Sequence, residues 1–270
     1  MSAKLSTRNL SKSFFKGPNE TVALRDVTID VADGEFVSIV GASGCGKTTF
    51  LKLVDRLIQP SSGTVEIDGK PVTRPGREIA FVFQQDGLMP WRNVARNTAF
   101  GPELQRRDMS RARALASETL RLVGLQGFER HFPHELSGGM RQRVNLARAL
   151  TVGADVLMMD EPFAALDAQT REIMQAELMR VCRETGKTVL FVTHQIDEAV
   201  YLSDRVLIFT ARPGRLKEEV VIDLPRPRDL AVKRTPDFVA YVDRIWRSIE
   251  VEVRESIGLD EEARKQAVPF

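Results

Sequence analysis

Residues 41–48 read Gly41-Ala42-Ser43-Gly44-Cys45-Gly46-Lys47-Thr48, which fits the pattern G-x-x-x-x-G-K-[ST] at every fixed position. Glycines let the backbone curl until successive N–H groups point at phosphate oxygens. An apolar, β-branched segment precedes the motif, and a helical pattern that adds a positive N-terminal end follows it. This strand–loop–helix context predicts a phosphate-binding loop in which Lys47 reaches the β and γ phosphates of a nucleotide and the Thr48 hydroxyl ligates Mg²⁺.

Strand and helix patterns alternate on both sides of this loop. We predict strands at residues 24–31, 35–40, 64–69, 79–83, 156–159, 188–193 and 205–210. We predict helices at residues 47–57, 110–123, 138–150, 169–183, 197–202 and 238–257. Apolar strands that alternate with helices indicate a parallel sheet covered on both faces. The stretch from Leu88 to Leu150 has little strand signal, so we interpret it as a helical insertion in an α/β domain.

Composition narrows the class of protein. The chain has 270 residues, of which 43% are hydrophobic and 28% charged, and its formal net charge is +2. These values are typical of a globular protein, and the near-zero charge argues against broad nucleic-acid binding. Cys45 and Cys182 form no disulfide framework or metal motif. No signal peptide and no apolar run of about 20 residues is evident, so a secreted, membrane-spanning or fibrous protein is not expected.

Polar residues follow three predicted strands, at the edge where parallel sheets bind ligands. We predict that Asp160 supports the Mg²⁺ shell and that Glu161 orients or deprotonates a water molecule. His194 is expected to hydrogen-bond the γ phosphate, and Gln84 to touch both Mg²⁺ and the attacking water. The alternatives are a solvated loop or helix cap for the two carboxylates, a structural histidine, and an ordinary loop amide.

A second anion-binding helix end is predicted within Leu136-Ser137-Gly138-Gly139-Met140-Arg141-Gln142-Arg143. Ser137, Gly138 and Gly139 open a predicted helix, whose N-terminal N–H groups attract anions. One triphosphate has little need of two such ends from one subunit. We therefore interpret the second end as serving the nucleotide of a neighbouring subunit.

Taken in order, the phosphate loop, Gln84, residues 136–143, residues 156–161, Ala164-Ala165-Leu166-Asp167 and His194 closely resemble the ATP-binding subunit of ABC transporters. The resemblance covers about residues 4–225. The Leu-Ser-Gly-Gly stretch is highly specific to ABC ATPases. Kinases and GTPases, which share the phosphate loop, lack it.

The resemblance implies an α/β fold: a phosphate-loop NTPase core with a mainly parallel sheet, an N-terminal antiparallel β subdomain and an α-helical insertion. A single ABC ATPase domain is expected over residues 4–245. Residues 4–87 and 156–225 would form the RecA-like core with its antiparallel β subdomain, and residues 88–155 the helical subdomain. A C-terminal helical extension is expected over residues 226–270.

The same resemblance implies roles for individual residues. ATP phosphates would be bound by Gly41 to Thr49 (the loop quoted above plus Thr49), with Asp160 supporting Mg²⁺. Glu161 would be the catalytic carboxylate and His194 the switch residue at the γ phosphate. The protein would form a head-to-tail dimer, with a second copy or a paralogous subunit, that holds two ATP molecules. Ser137, Gly138 and Gly139 would contact the partner's ATP, and Asp167 would lie across the interface.

An aromatic residue stacks on adenine in this family. Phe14 in Leu10-Ser11-Lys12-Ser13-Phe14 matches that position, and Phe15 is the runner-up. The alternative is that Phe14 is a plain core residue.

Four shorter stretches look like the nitrate/sulfonate/taurine group of bacterial importers: residues 84–91, 162–167, 212–214 and 224–228. Three features depart from the family pattern. Gln195 stands where an aspartate usually follows the histidine, Asp55-Arg56 replaces small residues, and Asn145 replaces a small residue in the signature helix. The departures remove no catalytic group.

The expected function is therefore ATP hydrolysis that energises an importer of a small anionic solute. The partners would be membrane permease subunits at the cytoplasmic face of the inner membrane and, indirectly, a solute-binding protein, but no nucleic acid. Leu88, Met89 and Trp91 suggest a docking surface near Gln84, with local core packing as the alternative. A non-transport ABC ATPase is the competing class, and a non-catalytic regulatory module is disfavoured because all catalytic groups are present.

Cys45 lies beside the predicted helix N-terminus, which lowers thiol pKa values in general. We therefore expect a reactive thiol whose alkylation blocks ATP hydrolysis.

Overall fold

The computed structural model describes residues 3–106 and 108–256. The chain forms two compact units, residues 3–76 with 190–256 and residues 77–189. The elements are, in chain order, β1 (Ala3–Lys16), β2 (Asn19–Ala32), β3 (Phe36–Gly41), α1 (Lys47–Val54), β4 (Ser62–Ile67), β5 (Lys70–Pro71), β6 (Ile79–Val82), α2 (Val94–Thr98), α3 (Phe100–Leu104), α4 (Met109–Leu122), α5 (Gly138–Val152), β7 (Val156–Asp160), α6 (Ala168–Thr185), β8 (Thr188–Val192), α7 (Ile196–Leu202), β9 (Arg205–Phe209), β10 (Leu216–Val221) and α8 (Pro236–Ser256).

The first unit contains an antiparallel sheet with strand order β2-β1-β4-β5. Alternate residues of β2, among them Val27, Ile29 and Val31, are buried, so one face of this sheet packs on the core. In the same unit β10, β9, β3 and β8 are neighbours in that order. β3 runs parallel to β9 and β10 runs antiparallel to it.

The second unit combines the parallel pair β6 and β7 with helices α2 to α6. Its long helices begin where a short polar side chain accepts from a free backbone N–H: Asp108 for α4, Ser137 for α5 and Asp167 for α6. Gly153 and Gly186 adopt the left-handed conformation that ends α5 and α6. The predicted α/β class, with an antiparallel N-terminal sheet and mainly parallel strands elsewhere, is confirmed. The division of the chain at residues 88 and 155 stays a prediction.

The segment after β10 is anchored by a buried arginine. Arg228 is 5% exposed, and its guanidinium donates to five backbone carbonyls, those of Val200, Tyr201, Ser203, Ile222 and Leu224. Burial lowers the pKa of Arg228 to about 10, which leaves it charged at neutral pH. This contact set explains the Leu224-Pro225-Arg226-Pro227-Arg228 motif structurally, because carbonyl dipoles replace the lost hydration of the charge.

The predicted terminal helix forms as α8 and packs Phe238, Ile245 and Ile249 into the core. Its predicted last residue, Ile257, lies outside the described residues. Across the described part of the chain, none of the helices is both long and apolar enough to span a bilayer.

Some elements were not predicted from the sequence. β1 has register shifts against β2 at four places, which break the polar–apolar alternation that identifies a strand. β10 carries Lys217, Glu218 and Glu219 because it is an edge strand with one solvated side. α2 and α3 have five residues each, too short for a helical period to stand out.

Asp55 gives the first unit a pH-dependent stability. It follows α1 directly, is 7% exposed, and burial raises its pKa from 3.8 to about 7. The folded state therefore holds the proton more tightly than the unfolded state. The resulting stabilisation is complete below about pH 4 and is lost as the pH rises through about 7.

We expect Asp55→Asn, which mimics the protonated acid, to be more stable than the parent protein at pH 8 by on the order of 2 to 4 kcal/mol. The difference should shrink steadily toward pH 5. Urea unfolding at four pH values measures it, with Asp33→Asn at an exposed turn as the control. A stability difference that does not change with pH would contradict the raised pKa.

Candidate functional site

The loop from Gly41 to Thr48 follows a path that only glycine permits at its ends. Gly41 has φ +156° and Gly46 has φ +105°, both in the region that L side chains rarely adopt. A Cβ at Gly41 would lie 2.8 Å from the carbonyl oxygen of Phe209, and a Cβ at Gly46 would lie 3.0 Å from that of Ala23. The loop thus packs backbone against backbone on β9 and β2. As the residue before α1, Gly46 also provides no capping side chain for the first-turn N–H groups.

Lys47 folds back over the loop. Its Nζ donates to the carbonyl oxygens of Gly41 at 2.8 Å and Ala42 at 3.0 Å, and the residue is only 7% exposed. These bonds hold the ammonium at the centre of the loop's curve. A positive charge at that point, together with the amides of the first turn of α1, suits phosphate oxygens.

The expected reactivity of Cys45 is wrong. Cys45 is completely buried, and burial raises the pKa of its thiol although the neighbouring Lys47 opposes the change. The sequence places the thiol near a helix N-terminus but does not reveal that it points into the core. A protonated and inaccessible thiol is a poor target for alkylation.

Phe14 and Phe15 lie near the tip of the β1–β2 hairpin and are 45% and 71% exposed. Neither is therefore a core residue. The ammonium of Lys12 lies 5.1 Å from the ring centroid of Phe14. Both rings are available for stacking, and the choice of Phe14 for adenine stays a prediction.

His194 follows β8 and is exposed. The neighbouring Thr193 is buried, and its hydroxyl donates to the buried carboxylate of Glu198 in a short hydrogen bond. The same hydroxyl oxygen accepts from the Gln195 N–H at 3.0 Å. This polar pair fixes the turn on which His194 stands, although Gln195, the residue before α7, caps none of the first-turn N–H groups with its side chain.

In the second unit, two predicted residues meet directly. Asp160 ends β7 and is 3% exposed, and Glu161 follows it with φ +48°. A non-glycine residue in this left-handed region is uncommon and costs on the order of 1 kcal/mol. Gln84 Nε2 donates to Glu161 Oε2 at 3.2 Å. The amide nitrogen is thus engaged with the carboxylate, while the amide oxygen is the atom suited to a metal.

The signature stretch opens α5. The Ser137 hydroxyl oxygen accepts from the Met140 N–H at 3.2 Å, which leaves its own proton to donate elsewhere. Gly139 lies against the loop of Ala165 and Leu166, where a Cβ would sit 3.1 Å from Leu166 Cδ2. Asp167 continues that loop and caps α6. Its carboxylate accepts a hydrogen bond from the Thr170 N–H, which lowers the pKa of Asp167. The structure therefore joins the signature stretch to the Asp167 loop.

A polar network that the sequence did not predict holds the Gln84 loop. Asn145 of α5 is fully buried, and its Nδ2 donates to the carbonyl oxygen of Phe83 at 2.9 Å. Its Oδ1 accepts from Arg148, which also donates to the carbonyls of Asp86 and Gly87. The departure at Asn145 thus has a structural role, for which the only sequence signal was a polar residue on an otherwise apolar helix face.

A groove of about 1030 Å³ lies in the second unit. Its lining residues are Trp91, Arg92, Asn93, Ala95, Arg96, Ala99, Glu103, Met109, Arg113, Ala116, Ser117, Glu129 and Arg130. Trp91 is 73% exposed, whereas Leu88 is 9% exposed and belongs to the core. Of the three residues expected to form the surface, Trp91 is exposed, Met89 is half-buried and Leu88 is a core residue. The expectation is therefore wrong for Leu88, and docking at Trp91 and Met89 stays a prediction.

The side chains predicted to bind ligand fit the chemistry of Mg²⁺ and a nucleoside triphosphate. Thr48 offers a hydroxyl in the first unit, and Asp160 and Gln84 offer a carboxylate and an amide oxygen in the second. These are the hard oxygen donors that Mg²⁺ prefers. Gly41 and Gly46 let the loop pack closely on Phe209 and Ala23, and this packing fixes the backbone whose N–H groups suit phosphate oxygens.

The chain is similar to several known proteins. The family model described as ABC transporter matches residues 24–164. An uncharacterized ABC transporter ATP-binding protein of Methanocaldococcus jannaschii is 48% identical over 95% of both chains. The taurine import ATP-binding protein of Yersinia pestis is 44% identical over 81% of this chain and 88% of its own. The nitrate import ATP-binding protein NrtC of Synechococcus elongatus is 45% identical over 82% of this chain but only 34% of its own length.

One solved structure is an ATP-binding cassette described as a dimer in a post-hydrolysis state, bound to ADP and Pi. It is 32% identical and superposes with a TM-score of 0.75, covering 82% of this chain and 100% of that one.

The Asn145 network yields a prediction about turnover. Asn145→Ala leaves the Phe83 carbonyl and Arg148 short of one partner each, which costs about 1–3 kcal/mol of stability. Because the Phe83 carbonyl immediately precedes Gln84, we expect kcat for ATP to fall about three- to tenfold with nearly unchanged ATP affinity. The control is Asn93→Ala, which removes the cap of α2 and about 1 kcal/mol but does not touch this loop. Equal kcat values in the two variants would mean that Asn145 contributes stability alone.

Proposed function

The chain belongs to the ABC transporter family and is an ATPase, and from that premise we propose that it energises an importer of a small anionic solute such as nitrate, a sulfonate or taurine. The observation that carries this proposal is the similarity of the chain to relatives named as nitrate and taurine import proteins. The presence of every residue predicted for catalysis supports it. The protein would act as a dimer docked on membrane permease subunits at the cytoplasmic face of the inner membrane. A solute-binding protein would deliver the solute to the permease.

In this proposal residues 41–49 bind the phosphates of ATP. The amides of the first turn of α1 and the Lys47 ammonium donate to phosphate oxygens, and Thr48, Gln84 and Asp160 hold Mg²⁺. Mg²⁺, when bound, neutralises charge on the β and γ phosphates. An exposed ring near the hairpin tip, Phe14 first and Phe15 second, stacks on adenine.

Glu161 is the proposed general base. Its carboxylate accepts from Gln84 Nε2, so the two side chains together define where a water molecule is held. Hydrolysis requires that water to lose a proton while it attacks the γ phosphorus, and the Glu161 carboxylate accepts it. His194, on a turn fixed by Thr193 and Glu198, donates a hydrogen bond to the γ phosphate.

The signature stretch is proposed to serve the ATP of the partner subunit. The Ser137 hydroxyl accepts from Met140 N–H and keeps one proton for an external anion, and the N-terminus of α5 adds partial positive charge. The contact of Gly139 with the loop that carries Asp167 places both elements on one surface of the second unit. A dimer is supported by the similar cassette that is described as one.

The groove beside Trp91 is the proposed docking site for a cytoplasmic helix of the permease. Four arginines and two glutamates line it, so its net charge favours an acidic partner. The exposed Trp91 ring and the small side chains of Ala95 and Ala99 offer apolar contact. The fitting occupant is an amphipathic helix with acidic residues beside its apolar face.

We expect Glu161→Gln to bind ATP with near-normal affinity but to lower kcat at least about 100-fold, because the general base is lost. Size-exclusion chromatography with ATP should then show a persistent dimer. The control, Glu184→Gln, removes an exposed carboxylate of α6 that pairs with Arg180. Normal turnover in Glu161→Gln would refute the role of Glu161.

The docking proposal predicts a separate loss. We expect Trp91→Ala combined with Arg96→Glu to weaken binding to the permease complex by roughly 30-fold or more, as loss of an interfacial tryptophan typically does. Co-purification from membranes and uptake of labelled nitrate or taurine by the cell measure it. Trp246→Ala, at an exposed tryptophan of α8 outside the groove, is the control. Recovery of a solely soluble partner, with uptake intact in a deletion strain, would favour a non-transport ATPase.

A further inference from the structure

Residues 210–215 form the turn that connects β9 to β10, the support turn. The Thr210 hydroxyl donates to the Pro213 carbonyl at 2.9 Å and accepts from the Arg215 N–H at 3.0 Å. These bonds give the turn a fixed shape of its own. All of its further contacts described below lie within the first unit.

On one side the support turn touches the phosphate loop. Gly214 pairs with β2 through the Ala23 carbonyl at 2.9 Å and the Arg25 N–H at 3.0 Å. A Cβ at Gly214 would lie 2.1 Å from the carbonyl oxygen of Cys45, so the two backbones are in direct contact. The exposed Arg212 donates through Nη2 to the Gly44 carbonyl at 3.2 Å. Two successive carbonyls of the phosphate loop therefore rest on this turn.

On the other side the support turn is held by Glu252 of α8. Glu252 Oε2 accepts from the Ala211 N–H at 2.6 Å, and Oε1 accepts from Lys217 Nζ at 2.8 Å. Lys217 also donates to the Ser248 carbonyl at 2.8 Å, which ties β10 to the same helix. Burial opposes ionisation of Glu252, but the bonds from Lys217 and Ala211 lower its pKa, so it is a carboxylate at neutral pH.

Ala211, held by Glu252, and Arg212, which holds Gly44, are adjacent in the chain. We propose that Glu252 is a positioning residue for nucleotide binding, which fixes the support turn and, through Arg212, the Gly44 peptide of the phosphate loop. This inference rests on the phosphate-binding role proposed for residues 41–49. It gives α8, in the extension beyond Pro225, a role at the nucleotide site.

Glu252→Gln tests the inference with little change in size. A glutamine has one acceptor oxygen for two donors, so either Ala211 or Lys217 loses its partner. We expect about three- to tenfold weaker ADP binding by isothermal titration of the full chain, the usual size of such indirect coupling. KM for ATP should rise by a similar factor, while kcat at saturating ATP stays within about twofold. The control is Glu250→Gln, two residues away, which breaks only the surface pair with Arg254.

A second variant tests the same coupling at the exposed residue Arg212. Arg212→Met removes the bond to the Gly44 carbonyl without touching α8 or the core, so it serves even where Glu252→Gln unfolds. We expect a similar loss of ADP affinity. The double variant should lose little more than the larger single effect, because both changes release the same turn.

Wild-type ADP affinity in both variants would overturn the inference, even if their unfolding temperatures fell. Lys47→Ala separates this failure from failure of the proposed phosphate loop. Weaker ADP binding in Lys47→Ala alone would refute only the role of Glu252. Unchanged binding in Lys47→Ala would refute the role of the loop, and the inference with it.

Discussion

Close contacts between backbone segments hold the loop of residues 41–48, the proposed phosphate-binding loop of the first unit. Gly41 lies against Phe209, Gly46 against Ala23, and Gly214 against Cys45, so that a Cβ would lie 2.8 Å, 3.0 Å and 2.1 Å from the respective carbonyl oxygens. The loop of residues 41–48 therefore packs on the last residue of β9 and on Ala23 and Leu24 of β2, which are buried. Such packing holds the loop amides in place before any ligand binds, and preorganisation of this kind lowers the entropic cost of binding.

Buried polar side chains carry the other positioning tasks. Asn145 supports the Gln84 loop, Glu198 supports the turn of His194, and Arg228 anchors the chain beyond β10. Asn145 and Arg228 satisfy backbone carbonyls, and Glu198 satisfies the buried Thr193 hydroxyl. A buried polar group without partners is costly, so these contacts select one loop conformation more sharply than apolar packing does.

The sequence predicted the parts of the fold and site that depend on local patterns. The glycine-rich loop of residues 41–48, the two carboxylates at the end of β7 and the serine cap of α5 are each defined by neighbouring residues, and the structure contains all three. Features that depend on residues far away in the sequence were not predicted. Burial of Cys45 and Leu88 reflects elements packed around them, and the Phe83 carbonyl that explains Asn145 lies 62 residues away in the chain. The strands β1 and β10 were not predicted because register shifts in β1 and the exposed edge position of β10 interrupt the alternation that identifies a strand.

The proposed nucleotide-binding side chains already have protein partners: Lys47 contacts two loop carbonyls, Gln84 contacts Glu161, and Ser137 caps Met140. Binding of ATP then exchanges or extends these hydrogen bonds, so its free energy is a difference between two satisfied states. Lys47 and Gln84 each donate hydrogen bonds to protein oxygens, and the Ser137 hydroxyl, which accepts from Met140, can still donate its own proton. With the backbone amides supplying most of the remaining donors, strong phosphate binding needs few cations, which is consistent with a formal net charge of only +2.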